Sequence, residues 1–116
     1  PAAMMLMQKN ATVTICHTKT VNTAEICKGA DIIVTAAGVL NSLTKDFVRE
    51  GQIVIDVSMN WNPEKITSKG KGGMSGDAVY EEVEPIVAAI TPVPGGVGAV
   101  TTTVLMKHVI EAAEKI

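Results

Sequence analysis

The residues best suited to chemistry crowd into one stretch, Ile90-Thr91-Pro92-Val93-Pro94-Gly95-Gly96-Val97-Gly98. A strand is expected to end there. Two prolines stiffen the chain, and three glycines let backbone come close to a ligand. The helix that follows points its free N–H groups at the turn, an arrangement suited to a phosphate or another anion. Thr101, Thr102 and Thr103 add hydroxyls on its first turn. The competing reading is a tight strand-to-helix connection that binds nothing. Asp56 lies inside an apolar run, where a carboxylate needs hydrogen-bond donors. His17, Thr18 and Lys19 follow a β-branched run and read either as a polar ligand contact or as a solvated strand end. Cys16 and Cys27 form neither a CxxC pair nor a metal-ligand spacing, and are expected to be reduced. No metal site is expected.

These residues need elements to hold them. Pro1–Lys9 reads as a helix, Thr12–His17 as a strand, Asn22–Gly29 as a short helix and Asp31–Ala37 as a strand. Ser42–Glu50 reads as a helix and Gln52–Ser58 as a strand. Asn60–Gly73, with Pro63 and several glycines, reads as a surface loop. Ser75–Val79 is a candidate strand, Glu81–Val87 a helical turn or two, and Ala88–Val93 a last strand. Thr101–Ile116 is the longest helix, with Leu105, Val109, Ala112, Ala113 and Ile116 at helical spacing. Met4, Met5 and Met7 are expected to form a core-facing stripe.

The strands at 31–37 and 52–58 are apolar throughout rather than alternating, which predicts a parallel sheet buried on both faces. The alternation of strands and helices predicts an α/β fold: a Rossmann-like, doubly wound parallel sheet. Such a fold opens with a strand and a glycine turn, whereas this chain starts on the helix that would follow. The expectation is therefore a domain lacking its first strand and phosphate-binding loop, truncated upstream of Pro1 by cleavage or design.

Of the 116 residues, 47% are hydrophobic, yet Phe47, Trp61 and Tyr80 are the only aromatics, so the core must come from Val, Ile, Leu, Met and Ala. The net charge of −2 is spread along the chain, with no basic stripe for nucleic acid and no polybasic patch for a membrane surface. No apolar run reaches the roughly 18 residues of a membrane span, and no signal peptide is evident, so a cytoplasmic protein is expected.

The 92–98 string resembles the PVPGGVG signature of the bifunctional methylenetetrahydrofolate dehydrogenase/cyclohydrolase family. Thr12–Thr20 (TVTICHTKT), Ala30–Gly38 (ADIIVTAAG), Gly51–Asn60 (GQIVIDVSMN) and Gly76-Asp77 are similar, in order, to further segments of it, and Pro1–Met4 looks like the piece after its phosphate loop. The resemblance spans nearly the whole chain and points to its C-terminal, NADP-binding half, with residues 1–116 as one domain and the folate-side catalytic domain absent.

The resemblance implies NADP as cofactor, tetrahydrofolate derivatives as substrates and a homodimer for the full-length protein. The family oxidises 5,10-methylenetetrahydrofolate to the methenyl form and hydrolyses that to 10-formyltetrahydrofolate. Carried over residue by residue, cofactor binding falls to His17, Thr18, Ala37, Gly38, Asp56, Met59, Gly98 and Thr101, and folate binding to Pro94, Gly96 and Val97. The turn 16–19 has no carboxylate, which favours NADP over NAD. The family's catalytic Lys sits in a Tyr-x-x-x-Lys motif, but here Tyr80 is followed four positions later by Glu84, so no catalytic residue is expected in this chain, which alone would be inactive. Two departures stand out: Ser58-Met59-Asn60 replaces Gly-Ile-Asn, and Ala99-Val100 replaces Pro-Met. The alternative is a non-catalytic nucleotide-binding module that acts with a partner chain.

Overall fold

The computed structural model describes all 116 residues. In chain order it contains α1 (Ala2–Gln8), α2 (Thr23–Lys28), β1 (Ile32–Thr35), a 3-10 turn (Lys45–Phe47), β2 (Ile53–Asp56), β3 (Asn60–Thr67), β4 (Gly70–Ser75), α3 (Tyr80–Val83), β5 (Ala89–Ile90) and α4 (Val97–Glu114). Three strands form a parallel sheet in the order β1-β2-β5, with Ile33 beside Val54 and Val54 beside Ile90. A parallel sheet in a chain that alternates strand and helix is the expected α/β architecture.

One sheet face is packed and the other is not. Ile33 and Val54 point into a core with Leu43, Val48, Ala78, Val83 and Val87. Their neighbours Ile32, Val34 and Ile53 face the other way and remain 53%, 47% and 41% exposed. The expectation of strands buried on both faces is therefore corrected. No residue of α1 or α4 is buried, and no other element covers the second face. The Met4, Met5 and Met7 stripe is likewise exposed rather than core-facing. The radius of gyration is 16.2 Å, against about 13 Å for a compact domain of this length.

Other elements differ from their sequence reading. Thr12–His17 is not a strand, because no neighbouring strand offers it a ladder. The Ser42–Glu50 helix shrinks to one 3-10 turn: Thr44 caps it by accepting from the Asp46 amide at 3.4 Å, and Val48 turns extended to enter the core. Ser75–Val79 gives a single bridge, Ala78 with Leu43. The last strand is only Ala89–Ile90, and α4 begins four residues early, at Val97. The supposed loop at Asn60–Gly73 is an antiparallel hairpin, β3 against β4. Arg49 and the fully buried Gln52 fasten the exit of α2 to the sheet. The Gln52 amide donates to the carbonyls of Cys27 (2.8 Å) and Ala30 (2.7 Å), and its oxygen accepts from the Arg49 amide at 2.7 Å.

Candidate functional site

The carboxyl ends of β1 and β2, the start of β3 and the turn into α4 meet at one edge of the sheet. Ligands collect at this edge in open parallel sheets. The β2 amide of Asp56 donates to Thr91 Oγ1 at 2.9 Å, which ties the end of β2 to the chain leaving β5. The Asp56 carboxylate, 3% exposed, accepts from three backbone amides: Ser58 (3.2 Å), Asp77 (3.2 Å) and Ala78 (2.9 Å). Gly76 is required here, because a Cβ at that position would overlap the Asp56 carboxylate.

A second buried carboxylate, Asp77, gathers the neighbouring turns. Its Oδ2 accepts from Thr35 Oγ1 (2.9 Å), the Ala37 amide (2.8 Å) and Ser58 Oγ (2.8 Å). Its Oδ1 accepts from the Val39 amide (3.0 Å) and Asn60 Nδ2 (3.1 Å). Burial pushes this carboxyl up. The bonds donated by Ser58, Thr35, Asn60 and the Ala37 amide outweigh that and hold it below the usual carboxylate range. Ser58 Oγ in turn accepts from the Gly38 amide at 3.2 Å. One side chain thereby fixes the turn after β1 and the turn after β2.

A cleft of about 430 Å³ opens between Asp56–Met59 and the segment Pro92–Thr102, a size ordinary for a small-molecule site. Gly95 turns the loop with φ +97°, and a Cβ on Gly96 would overlap the Pro92 carbonyl. The Val93–Pro94 peptide is cis. Helix α4 then starts with no side-chain cap, and its first residues Val97, Gly98 and Ala99 line the cleft. Of the residues singled out from the sequence, Asp56, Met59, Pro94, Gly96, Val97, Gly98 and Thr101 line this cleft. The Thr101 hydroxyl donates back to the Val97 carbonyl at 3.0 Å, as Thr102 and Thr103 do one turn back on α4. Ala37 and Gly38 lie outside the cleft lining and are joined to it through Asp77 and Ser58.

His17 and Thr18 sit on a separate exposed turn. The Lys19 amide donates to His17 Nδ1 at 3.1 Å, and the His17 amide donates to Thr20 Oγ1 at 2.8 Å. No carboxylate belongs to this turn. Trp61, 64% exposed, lays its indole over Gly72 on the hairpin rather than over the cleft. His108 is exposed on α4. Cys16 and Cys27 are free thiols, and burial, with Cys16 nearby, pushes the Cys27 thiol up. Sequence reasoning missed Ser58 as a bridge and Thr35 and Asn60 as donors. The signal available was a set of polar side chains at the ends of apolar strands.

Comparison with known proteins agrees along the whole chain. The family model described as tetrahydrofolate dehydrogenase/cyclohydrolase, NAD(P)-binding domain, matches residues 1–116. A bifunctional protein FolD of Carboxydothermus hydrogenoformans is 49% identical over 114 residues, 98% of this chain and 38% of that protein. One from Clostridium novyi is 51% identical over 111 residues, covering 96% of this chain and 37% of its own length. Among solved structures, the Campylobacter jejuni FolD methylenetetrahydrofolate dehydrogenase/cyclohydrolase superposes with a TM-score of 0.82 at 41% identity, over 97% of this chain and 38% of that one. A Trypanosoma brucei methylenetetrahydrofolate dehydrogenase-cyclohydrolase complexed with NADP cofactor and inhibitor superposes at 0.79 with 36% identity, over 90% of this chain and 36% of that one. The chain thus spans under two fifths of the length of the relatives it matches.

Proposed function

The chain belongs to the tetrahydrofolate dehydrogenase/cyclohydrolase family as an NAD(P)-binding domain, and from that premise we propose that it holds NADP for an enzyme that oxidises 5,10-methylenetetrahydrofolate to the methenyl form and hydrolyses this to 10-formyltetrahydrofolate. The observation that carries the reading is the cleft between the end of β2 and the glycine turn into α4, built from the residues of the family's signature string.

The residues present fit the cofactor. The exposed turn 17–20 offers a hydroxyl at Thr18, an imidazole at His17 and an ammonium at Lys19, with no carboxylate to repel a 2′-phosphate. That favours NADP over NAD. In this reading His17 and Thr18 take the adenosine 2′-phosphate. Ala37 and Gly38 pass the adenosine-phosphate portion over the sheet edge, and Asp56 holds the turn that presents the Met59 backbone to the nicotinamide amide. Gly98 and Thr101 complete the cofactor side. Pro94, Gly96 and Val97 form the folate side. The bound cofactor supplies the hydride acceptor.

What this chain's residues do is position and shield. Pro94 and the bare glycines let the folate methylene approach closely, and the cleft walls exclude water from the hydride path. The residues that handle protons are assigned to the folate-side domain of the whole protein, since Tyr80 and Glu84 do not reproduce the Tyr-x-x-x-Lys motif. On the same reading residues 1–116 are one domain of a cytoplasmic homodimer, inactive when alone. No helix here is long and apolar enough to cross a membrane.

The test is NADP-dependent oxidation of methylenetetrahydrofolate by the full-length protein that carries this domain, read as NADPH formed. Steady turnover is expected. A well-folded protein that forms no NADPH would contradict the assignment.

A further inference from the structure

We propose that Lys65, on the β3–β4 hairpin, is a positioning residue that braces the Val93–Gly98 loop and so sets the folate-side wall of the cleft; the idea rests on the function proposed above.

The hairpin is not a regular ladder. Asn62 pairs with Gly73 and Ile66 with Lys71, so Pro63, Glu64 and Lys65 face the single residue Gly72. Such a bulge bends a strand and re-aims the side chains on it. Pro63 fits the irregular stretch, because it has no N–H to give to a ladder. The aliphatic stem of Lys65 lies across Gly73 of β4: a Cβ there would stand 3.2 Å from Lys65 Cδ, and 2.9 Å from Thr67 Cγ2.

The half-buried ammonium reaches two backbone carbonyls. It donates to Met74 on β4, and to Val93 at 3.1 Å. The second bond leaves the hairpin and lands at the start of the glycine turn. That turn is poor in anchors of its own. Pro92 and Pro94 contribute no N–H, and Gly95 and Gly96 carry no side chain to pack. A charge-assisted bond to the Val93 carbonyl is among the stronger restraints available to it. Sequence reading placed Lys65 in a solvated loop, and nothing in the cleft chemistry described above uses it.

A brace of this kind acts on population. Loosening the loop lowers the fraction of molecules with the wall in place. That weakens apparent substrate affinity by the same factor, while saturating substrate recovers the competent state. KM therefore changes more than kcat.

The experiment compares Lys65→Met and Lys65→Arg in the full-length protein at saturating NADP. It reads KM for methylenetetrahydrofolate, kcat, the melting temperature and amide exchange across residues 95–98 without ligand. Lys65→Met is expected to raise KM about tenfold, the lower end of the scale of one hydrogen bond from a charged group, with kcat within about twofold and faster exchange at 95–98. Lys65→Arg is expected to restore both. If Lys65→Met fails to fold, Lys65→Gln, which shortens the side chain and removes its charge while keeping a polar end, is expected to give a smaller KM rise of the same kind. A Lys65→Met protein with wild-type KM and exchange overturns the proposal. So does equal impairment in Met and Arg variants, or an unchanged Lys65→Gln protein. Wild-type turnover is the separate control on the functional assignment, and the exchange comparison needs no turnover, so either idea can fail with the other standing.

Discussion

Ser58 Oγ donates to Asp77 Oδ2 at 2.8 Å and accepts from the Gly38 amide at 3.2 Å. A carboxylate far along the chain thereby fixes the turn that follows β1. The family resemblance leads one to expect Gly-Ile-Asn where this chain has Ser58-Met59-Asn60, and the Ser58 hydroxyl is fully used. Asp77 has five donors and no exposed surface. Asp77→Asn would turn an amide NH2 toward some of them. It is expected to cost about 2–4 kcal/mol of folding stability, the range for breaking a buried, hydrogen-bonded charge. Urea unfolding of the full-length protein measures this. A loss below about 0.5 kcal/mol, the scale of an ordinary surface change, would show that the network is not strained by the exchange.

The same carboxylate predicts an acid limit. Its folded pKa lies below the unfolded value of about 3.9, because the bonds from Ser58, Thr35, Asn60 and Ala37 outweigh burial. A depressed pKa stabilises the fold above the unfolded value, and that contribution is lost as pH falls through the folded one. Stability should hold from neutral pH to about 4 on this account and then drop. Asp77→Asn should flatten the drop. An identical acid profile in the two proteins would remove Asp77 as its source.

Gly76→Ala tests the packing of the two carboxylates. The added Cβ would overlap Asp56, which is held by three amides and has little room to move. Overpacking of this kind costs about 1–3 kcal/mol. The expected result is a matching loss in urea midpoint together with a raised KM for NADP, since Asp56 fixes the turn at Ser58-Met59. Loss of stability with unchanged KM would detach Asp56 from the cofactor.

Thr18→Glu tests the cofactor choice. A carboxylate at the turn would repel a 2′-phosphate and offer the ribose 2′-OH of NAD an acceptor. The kcat/KM ratio of NADP to NAD should fall by about tenfold or more, or 1.4 kcal/mol. An unchanged ratio would place the 2′-phosphate elsewhere.

Local chemistry made much of the site readable. Glycines, prolines and a helix start carry their meaning over a few residues, so the 92–98 turn was legible. The β-branched cores Ile32–Thr35 and Ile53–Asp56 were legible for the same reason. Thr12–His17 reads as a strand and is not one, because a strand is a relation to a neighbour, which propensity does not contain. The hairpin was missed because Gly70–Ser75 holds three glycines among polar residues, and cross-chain pairing rather than pattern makes it a strand. Gln52 opens the Gln52–Ser58 run with no sequence mark of its role, and it is fully buried because the exit of α2 supplies partners for its amide. The Lys65 bond to Val93 spans 28 residues and leaves no local mark.

The most direct measurement is amide hydrogen exchange of the full-length protein with and without NADP. The account predicts protection in peptides covering 17–20, 37–39, 56–60 and 94–102, with the largest change at the Gly95–Gly98 turn. Protection absent from both 56–60 and 94–102, with NADP bound, would contradict the placement of the cofactor in this cleft.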